Sequence, residues 1–264
     1  MRTLVTFVVL FVATVLLGSL VLLAALLGIP GGPGSVYERA PTWWARTLLF
    51  VSGTKIRLHG EERIRTGEPR VYVSNHVSWY DVLVLLAHLP RCSFVAKAEL
   101  FKVPIFGPAA RAIGTIPIER DNRRAAFQSY EEAGEQIRAG RSVVVFPEGT
   151  RGSDYALRPF KKGPFVLAVA AGVPVVPTLV HGTIEVLPRD SLWMRRGRVD
   201  VHLLEPVDAA GHSYDDRDAL AAAVYARMAD ALRQEYGVDS PPYRTARPRD
   251  DAGPQGAPAP RAAT

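Results

Sequence analysis

The side chains that could do chemistry in this 264-residue chain are concentrated in two short segments. The first holds His76 and Asp81, five positions apart, and the second is residues 146–151, Phe-Pro-Glu-Gly-Thr-Arg. A histidine with a carboxylate is the pair needed to make and orient a general base. A turn followed by an arginine suits an anion, because backbone amides and a guanidinium both donate to it. Together the segments indicate an enzyme that deprotonates a hydroxyl on a phosphorylated substrate.

The spacing of His76 and Asp81 restricts where each residue can lie. Residues five apart do not share a helical face, so one regular helix cannot bring them together. Residues 71–74 are typical of a strand and Ser78 is a good N-cap, which places His76 in a strand-to-helix turn. Asp81 then reaches back, accepts one imidazole N–H and leaves the other nitrogen to take a substrate proton. An isolated pair of this kind is more often unrelated, but the other motifs favour a catalytic interpretation.

Two segments that end in arginine predict the anion site. Arg120 closes residues 114–120 at the end of a predicted strand, and Arg151 closes the second segment. A lone arginine is usually a solvated surface charge, but two that follow strands favour a ligand crevice. Arginine also binds phosphate through two parallel hydrogen bonds. Glu148 cannot bind phosphate while it is ionised, so it would accept from a substrate hydroxyl or fix a neighbouring arginine.

Four segments, in this order along the chain, carry a resemblance to a known family. They are Asn75-His76 with Asp81, residues 114–120, residues 146–151 and residues 173–177. Over about residues 55–205 the chain resembles the glycerolipid acyltransferases, whose best-known members act on 1-acylglycerol-3-phosphate. The last segment, Val-Pro-Val-Val-Pro, has no polar side chain, so we expect it to pack in the core rather than to do proton chemistry.

The resemblance implies both a fold and a reaction. The fold class is α/β, a single acyltransferase domain with a central sheet flanked by helices, preceded by an N-terminal transmembrane helix. The reaction moves a fatty acyl group from acyl-CoA or acyl carrier protein to the sn-2 hydroxyl of 1-acylglycerol-3-phosphate (lysophosphatidic acid), giving phosphatidic acid. His76 is implied as the base and Asp81 as its orienting partner. The residues implied in binding the glycerol phosphate are Arg120, Glu148, Gly149, Thr150 and Arg151.

Lysines add further candidate contacts with phosphate. Lys97 ends a predicted strand and matches a lysine-rich family segment, and the sequence leaves open a phosphate contact or simple exposure. Lys161 and Lys162 precede a predicted helix, whose N-terminus could meet the phosphates of the acyl donor. No pattern of metal ligands and no Gly-x-Ser-x-Gly segment is present. We therefore expect no metal, no cofactor beyond the acyl co-substrate, and direct attack of the hydroxyl on a thioester.

Three other functions stay open on the sequence. One is the same transfer to another lysophospholipid or to an amino-acid-headed lysolipid. The second is a non-catalytic lipid-binding module, although binding a phosphate does not require a base and a carboxylate. The third is a phosphohydrolase, which would need metal ligands or a covalent nucleophile that the sequence does not show.

Predicted strands and helices alternate along residues 55–239, which indicates one α/β domain with helices on the faces of a sheet. The predicted strands cover residues 55–59, 71–74, 93–96, 115–118, 143–146, 175–180 and 199–204. The predicted helices cover residues 78–89, 123–138, 164–171 and 214–236, and a segment broken by Pro and Gly lies between the third and fourth strands.

The N-terminus predicts a membrane anchor over residues 1–34. Residues 4–27 carry no charge and exceed the roughly 20 residues that cross a bilayer. A cleaved signal peptide is the rival interpretation, but its apolar core would be shorter and end in a small-x-small site. Arg39 and Arg46 follow the span while Arg2 precedes it, which favours a catalytic domain on the cytoplasmic face.

The rest of the chain is predicted from composition. Residues 35–54 mix Trp43 and Trp44 with arginine, which suits a helix in the membrane interface or an ordinary amphipathic helix packed on the domain. Residues 240–264 are rich in Pro, Ala, Arg, Asp and Gly and are predicted to form a disordered tail. The net charge of +6 and pI of 9.6 fit an anionic lipid surface, and no motif indicates nucleic acid.

Overall fold

A sheet of seven strands forms the centre of the fold in the computed structural model, which describes residues 1–119 and 123–244 and only the backbone of residues 123–127. The strands are β1 (Thr54–His59), β2 (Val71–Ser74), β3 (Cys92–Lys97), β4 (Ile116–Ile118), β5 (Ser142–Val145), β6 (Val175–His181) and β7 (Gly197–Leu203). Their order across the sheet is β1-β7-β6-β2-β5-β3-β4. The β6–β7 pair is antiparallel and the other neighbouring pairs are parallel.

Helices cover both faces of this sheet. They are α1 (Arg2–Leu26), α2 (Val36–Ser52), α3 (Trp79–His88), α4 (Phe106–Ala112), α5 (Arg123–Arg138), α6 (Gly163–Ala171), α7 (Thr183–Val186) and α8 (Arg217–Tyr236). Three short 3-10 turns lie at Glu61–Arg63, Ala98–Lys102 and Tyr214–Asp216. The α/β architecture with a central sheet flanked by helices, and with an apolar N-terminal helix, is the one that the sequence predicts. The predicted strands and the main helices are found within three residues of their expected bounds.

The central strands are apolar throughout because both of their faces are covered. In β2, Val71 and Val73 face a core shared with α5, α6 and α8, and Tyr72 faces a second core shared with α2 and α3. Val175 and Val176, which belong to the all-apolar segment 173–177, divide between the same two cores and are fully buried. Parallel strands covered on both faces are expected to be runs of such residues.

The strand order brings three chain segments to one edge of the sheet. Strands β6, β2 and β5 are neighbours and parallel, so their carboxyl ends point the same way. The segment after β2 holds His76, the segment after β5 holds residues 146–151, and the segment after β6 opens α7. The crevice beyond the carboxyl ends of parallel strands is the usual ligand site of such sheets.

Helix α1 is, within the described residues, the one helix long and apolar enough to cross a membrane by length and composition. It also packs against α2 and α4. Trp44 Nε1 donates to Thr14 Oγ1 at 2.9 Å, and Val21 of α1 shares a small core with Ala40 and Ala109. The other side of α1 is exposed, including Leu4, Val8, Phe11, Leu16, Leu20 and Leu23. The predicted anchor is therefore attached to the domain along its length.

Helix α2 packs on the domain through one face. Ala45, Leu48 and Leu49 are buried, and the helix ends at Gly53, whose φ is 73°. Trp43 and Phe50 stay exposed on the outer face. The packed amphipathic helix that the sequence left open is thus present, and contact of the outer face with a membrane stays a prediction.

Two segments differ in detail from what the sequence indicates. The segment broken by Pro and Gly between β3 and β4 contains α4, whose residues help to hold α1. The start of the predicted tail is packed: Ser240 Oγ accepts from Leu157 N at 3.0 Å and Pro241 O accepts from the Tyr225 hydroxyl at 2.7 Å. Residues 245–264 of the predicted tail lie outside the described residues.

Candidate active site

His76 and Asp81 form a buried pair at the carboxyl end of β2. His76 Nδ1 donates to Asp81 Oδ2 at 2.9 Å. Ser78 caps α3, and Asp81, at the third position of that helix, completes a capping box by accepting from the Ser78 backbone N–H at 2.8 Å. The turn and the backward reach of Asp81 are the arrangement that the five-residue spacing predicts.

The Asp81 carboxylate is fully buried and held by donors on both oxygens. Oδ2 accepts from His76 Nδ1 and from the backbone N–H groups of Val77 and Ser78, the latter two at 2.7 and 2.8 Å. Oδ1 accepts from the Thr183 hydroxyl at 2.5 Å. Because the carboxylate is the acceptor in each of these contacts, His76 carries its proton on Nδ1 and its Nε2 is left to accept one.

The imidazole of His76 is fixed from two further directions. Its ring stacks on Phe146 with the centroids 4.1 Å apart, and its backbone N–H donates to Glu148 Oε1 at 3.1 Å. The carbonyl of His76 accepts from Gly152 N at 2.7 Å. The segment after β5 therefore positions the histidine as well as supplying polar groups of its own.

Residues 146–151 form the turn that the sequence predicts. Gly149 N donates to Phe146 O at 3.1 Å, and Gly149 has a φ of 78°, in the left-handed region that glycine adopts without strain. A Cβ at this position would also lie 2.6 Å from Lys161 Cε and 2.9 Å from Lys161 Nζ. The ammonium group of Lys161 thus lies directly beside the turn.

Glu148 joins the two motifs from inside the protein. It is 3% exposed, and besides accepting from His76 N it places Oε2 3.9 Å from Arg158 Nε. Burial raises the pKa of Glu148 to about 8, against the opposing effects of the His76 N–H and the Arg158 guanidinium. Of the two roles that the sequence left open for Glu148, the structure shows the contact with a neighbouring arginine, and a substrate contact stays a prediction.

Thr150 and Arg151 border a large cavity that His76 also lines. The guanidinium of Arg151 lies 5.1 Å from the centre of the Trp79 ring, and its Nη1 donates to Arg189 O at 3.3 Å. Among the described residues no carboxylate lies within 4.0 Å of Arg151. Burial, reinforced by the charge of Arg189, lowers the pKa of Arg151. A partly buried arginine without a carboxylate partner favours a bound anion.

The other predicted cationic residues are placed differently. Lys97 lies at the end of β3, lines the cavity and pairs with Glu99 at 3.3 Å, with both side chains more than half exposed. Lys162 Nζ pairs with Asp218 at 2.8 Å. Arg120 lies outside the described residues, so its predicted role in binding phosphate stays a prediction.

Two residues that support the site, Thr183 and Arg158, were not predicted from the sequence, and for Asn75, which belongs to the first family segment, no role was predicted. Thr183 holds Asp81, Arg158 Nη2 donates to Thr150 Oγ1 at 2.5 Å, and the Asn75 amide exchanges two hydrogen bonds with the backbone of Val180 at 2.8 and 2.9 Å. Asn75 thereby ties the end of β2 to β6. Thr183 follows β6 immediately, and a rule that ranks polar residues after each predicted parallel strand would have found it.

The cavity has a volume of about 1480 Å³ and is larger than the usual ligand pocket of roughly 300–1,000 Å³. Its lining is mostly apolar and comes from α1, α2, α3, β3 and α4. Residues that represent these elements are Leu10, Trp44, Leu83, Phe94 and Phe106. The base, the turn with Arg151 and a large apolar space are therefore parts of one site.

No metal site accompanies this arrangement in the part of the chain that the structure describes. Across residues 1–119 and 123–244, no group of three or more His, Cys, Asp or Glu side chains could hold a metal ion. Cys92 is buried, and burial raises the pKa of its thiol to about 12, so it is not a nucleophile at neutral pH.

Comparison with known proteins gives consistent matches. The family model named Acyltransferase matches residues 55–181. The chain is 37% identical over 166 residues to 1-acyl-sn-glycerol-3-phosphate acyltransferase BAT2, chloroplastic, of Brassica napus, covering 62% of this chain and 48% of that protein. It is 32% identical over 188 residues to 1-acyl-sn-glycerol-3-phosphate acyltransferase beta of Homo sapiens, covering 70% of this chain and 68% of that protein. The chain thus spans about half the length of the plant relative.

A solved structure shares the architecture. The crystal structure of PlsC from Thermotoga maritima, a 1-acyl-sn-glycerophosphate (LPA) acyltransferase, superposes with a TM-score of 0.69 at 26% sequence identity. The match covers 86% of this chain and 95% of that one. It therefore extends beyond the residues that the family model matches.

Proposed function

Since the chain belongs to the acyltransferase family, we propose that it transfers a fatty acyl group to the sn-2 hydroxyl of 1-acylglycerol-3-phosphate and forms phosphatidic acid. The observation that carries the proposal is the His76–Asp81 pair beside a large, mostly apolar cavity that His76 and Arg151 both line. A base, an anion site and space for a chain are the three features that a lysophospholipid acceptor needs. The names of the Brassica, human and Thermotoga proteins support the choice of acceptor.

The proton step uses His76 as general base. Nε2 of His76 takes the proton of the acceptor hydroxyl while the hydroxyl oxygen attacks the thioester carbonyl carbon. Asp81 holds Nδ1–H and stabilises the imidazolium that forms. When the C–S bond breaks, the imidazolium returns its proton to the departing thiolate. The products are an ester and a free thiol, and neither a metal nor a prosthetic group is needed.

The cationic groups near the turn bind the phosphate of the acceptor. Arg151 lies at the cavity without a carboxylate partner among the described residues, and the Lys161 ammonium lies beside Gly149. A phosphomonoester carries between one and two negative charges near neutral pH and is matched by such groups. We assign Arg151 to the acceptor phosphate, with Arg120 and Lys97 as further candidates.

The apolar part of the cavity holds acyl chain. Its walls come from α1 to α4 and β3, and burying a methylene group contributes about 0.8 kcal/mol. The donor is acyl-CoA or acyl carrier protein. Its thioester carbonyl carbon must lie next to the hydroxyl that His76 deprotonates. An acyl chain bound in this space would bring the thioester of the donor or the hydroxyl of the acceptor to the edge of the sheet.

The site operates at a membrane surface. Helix α1 has the length and composition of a membrane segment and exposes one apolar side. The excess of Arg39 and Arg46 after the helix over Arg2 before it favours a catalytic domain on the cytoplasmic face, and this orientation is part of the proposal. The acceptor and the product are then both membrane lipids.

The same chemistry on another acceptor is the second candidate. A different lysophospholipid or an amino-acid-headed lysolipid also presents a hydroxyl, an acyl chain and, in most cases, an anionic group. Arg151 favours the phosphomonoester because its planar group can make two hydrogen bonds with it.

The test is an acceptor-by-donor matrix with the purified full chain. Thioester consumption is followed with each lysolipid and with acyl-CoA or acyl carrier protein, and phosphate release is followed in parallel. We expect thioester consumption that requires lysophosphatidic acid and yields no free phosphate. Phosphate release without acyl transfer would indicate a phosphohydrolase, and binding without either reaction would indicate a lipid-binding module.

A further inference from the structure

The loop between α7 and β7 holds two large apolar side chains out into solvent. Leu192 and Trp193 are each 72% exposed. The base of the loop is tied down, because Arg195 N donates to Val186 O at 2.8 Å and Ser191 N donates to Pro188 O at 3.2 Å. The fold therefore fixes the two ends of the loop and leaves its tip, Leu192 and Trp193, exposed to solvent. Full burial of a side chain such as Leu typically contributes about 1.5–3 kcal/mol, so adjacent exposed Leu and Trp indicate a surface that something covers.

The tip continues the exposed apolar side of α1. Met194 N donates to Thr3 Oγ1 at 3.1 Å, which fixes the loop to the first turn of that helix. Leu4 on the same turn is 69% exposed, and Phe11, two turns on, is also 69% exposed. Leu192 lines the cavity together with Phe11. The apolar surface of the candidate membrane helix thus extends over the loop to the edge of the cavity.

The charges around the tip complement an anionic lipid surface. Arg189, Arg195 and Arg196 lie in the same loop and are exposed, against the single carboxylate of Asp190. Tryptophan beside arginine is the combination found at the boundary between headgroups and acyl chains. A soluble partner protein would explain the apolar pair, but it would not explain why the pair adjoins the exposed side of α1.

We propose that Leu192 and Trp193 insert into the lipid bilayer beside α1, with Arg189, Arg195 and Arg196 at the level of anionic headgroups. The part of the cavity that Leu192 and Arg151 line then opens at the bilayer surface. A single-chain lipid enters the cavity from the side, without passing through water. The contact with the bilayer stands on its own, and the entry of the acceptor rests on the proposed function.

The bilayer contact is tested by attaching a dye at the tip. The chain has one cysteine, Cys92, which is buried and whose pKa burial raises to about 12, so a thiol-reactive dye labels Trp193→Cys selectively. Tyr214→Cys is the matched control, because Tyr214 is 61% exposed and precedes α8, on the face of the sheet opposite α2 and α3. Unmodified full chain treated with the dye gives the background.

Both labelled full-length variants are reconstituted in vesicles of phosphatidylcholine and phosphatidylglycerol. We expect the dye on Trp193→Cys to be quenched by nitroxides on the lipid chains and protected from aqueous iodide, and the dye on Tyr214→Cys to show the reverse. Equal behaviour of the two variants would overturn the proposal. Protection from iodide without nitroxide quenching, and increasing with protein density, would indicate contact with a second copy and would overturn it as well.

Entry of the acceptor is tested by turnover of Trp193→Ala, since Trp193 does not line the cavity. We expect a several-fold loss with long-chain acceptor embedded in vesicles and no change with a short-chain acceptor that is monomeric in water. Trp193→Phe should restore vesicle turnover, and Tyr214→Ala should leave both rates unchanged. An equal loss with both acceptors would place Trp193 in the reaction itself and overturn the entry route. If the wild-type chain transfers to neither acceptor, the proposed function fails, while the dye experiment still decides the bilayer contact.

Discussion

Thr183 donates its hydroxyl proton to Oδ1 of Asp81 across 2.5 Å, and both side chains are fully buried. Asp81 Oδ2 is already occupied by His76 and by two backbone N–H groups, so Thr183 is the contact that fixes the second oxygen. Gly182 N and Ile184 N, on either side of Thr183, both donate to the Tyr155 hydroxyl at 2.7 and 3.1 Å. The orientation of the histidine thus depends on the segment after β6 as well as on the helix that carries Asp81.

Replacing Thr183 with Val should slow catalysis while leaving lipid binding in place. Valine keeps the shape of threonine and removes the donor to Asp81, and a hydrogen bond to a charged group is worth about 1.5–3 kcal/mol. If the loss falls on the chemical step, kcat falls roughly ten- to a hundredfold and KM changes little. Steady-state rates of Thr183→Val and Thr183→Ser test whether the hydroxyl is required. Serine keeps the hydroxyl, so Thr183→Ser should recover most of kcat. A valine variant with the wild-type kcat would show that the contact is not needed.

His76→Ala should abolish acyl transfer because it removes the imidazole that takes the hydroxyl proton in the proposed mechanism. Loss of one general base typically costs about 10²–10⁴-fold in rate. Asp81→Asn should also be impaired, since an amide can stabilise the wrong imidazole tautomer, as happens in the serine protease triad. The measurement is thioester consumption by the purified variants, with vesicle binding as a control for folding. Transfer by His76→Ala at the wild-type rate would contradict the mechanism.

The strands and the reach of Asp81 could be predicted because each depends on residues close in sequence. β2, β5 and β6 are short, mostly apolar runs ended by polar or turn residues. Both faces of these strands are covered by a core, so they do not show the alternation of apolar and polar residues that is typical of a half-exposed strand. The capping box that carries Asp81 needs only Ser78 and a helix that begins there.

The contacts that Thr183 and Arg158 make could not be predicted, because their partners are distant in sequence. Thr183 meets Asp81 only because β6 lies next to β2, and a sheet order of this kind is not written in any local pattern. Arg158 contacts Glu148 and Thr150 from an irregular segment that has no periodicity to mark it. The packing of α1 on α2 and α4 escaped for a different reason, since an apolar helix suits lipid and protein equally well.

Glu148 should make stability depend on pH between about 5 and 8. Its pKa is raised by burial from the ordinary 4.5 to about 8, so the folded protein keeps a proton that the unfolded chain releases. The free energy of unfolding therefore falls as pH rises through this window, by at most about 1.4 kcal/mol per pH unit. Thermal melts of the detergent-solubilised chain at several pH values test this. Glu148→Gln should remove part of the slope, and Glu99→Gln, at an exposed position, should not. Equal slopes in the three proteins would show that Glu148 is ionised throughout.

Arg151→Ala should damage the use of the lysophospholipid acceptor more than the binding of the acyl donor. A charge-assisted contact with phosphate is worth about 1.5–3 kcal/mol, which corresponds to a roughly ten- to hundredfold loss of acceptor kcat/KM. Arg151→Lys should recover only part of it, because lysine has the charge without the planar pair of donors. We expect the same pattern for Arg120, and no effect for Arg198→Ala, an exposed position outside the cavity. Initial rates with acceptor varied at saturating donor, and then the reverse, separate the two sites. If Arg151→Ala raises only the KM of the donor, Arg151 binds the phosphates of the donor and the acceptor phosphate lies elsewhere.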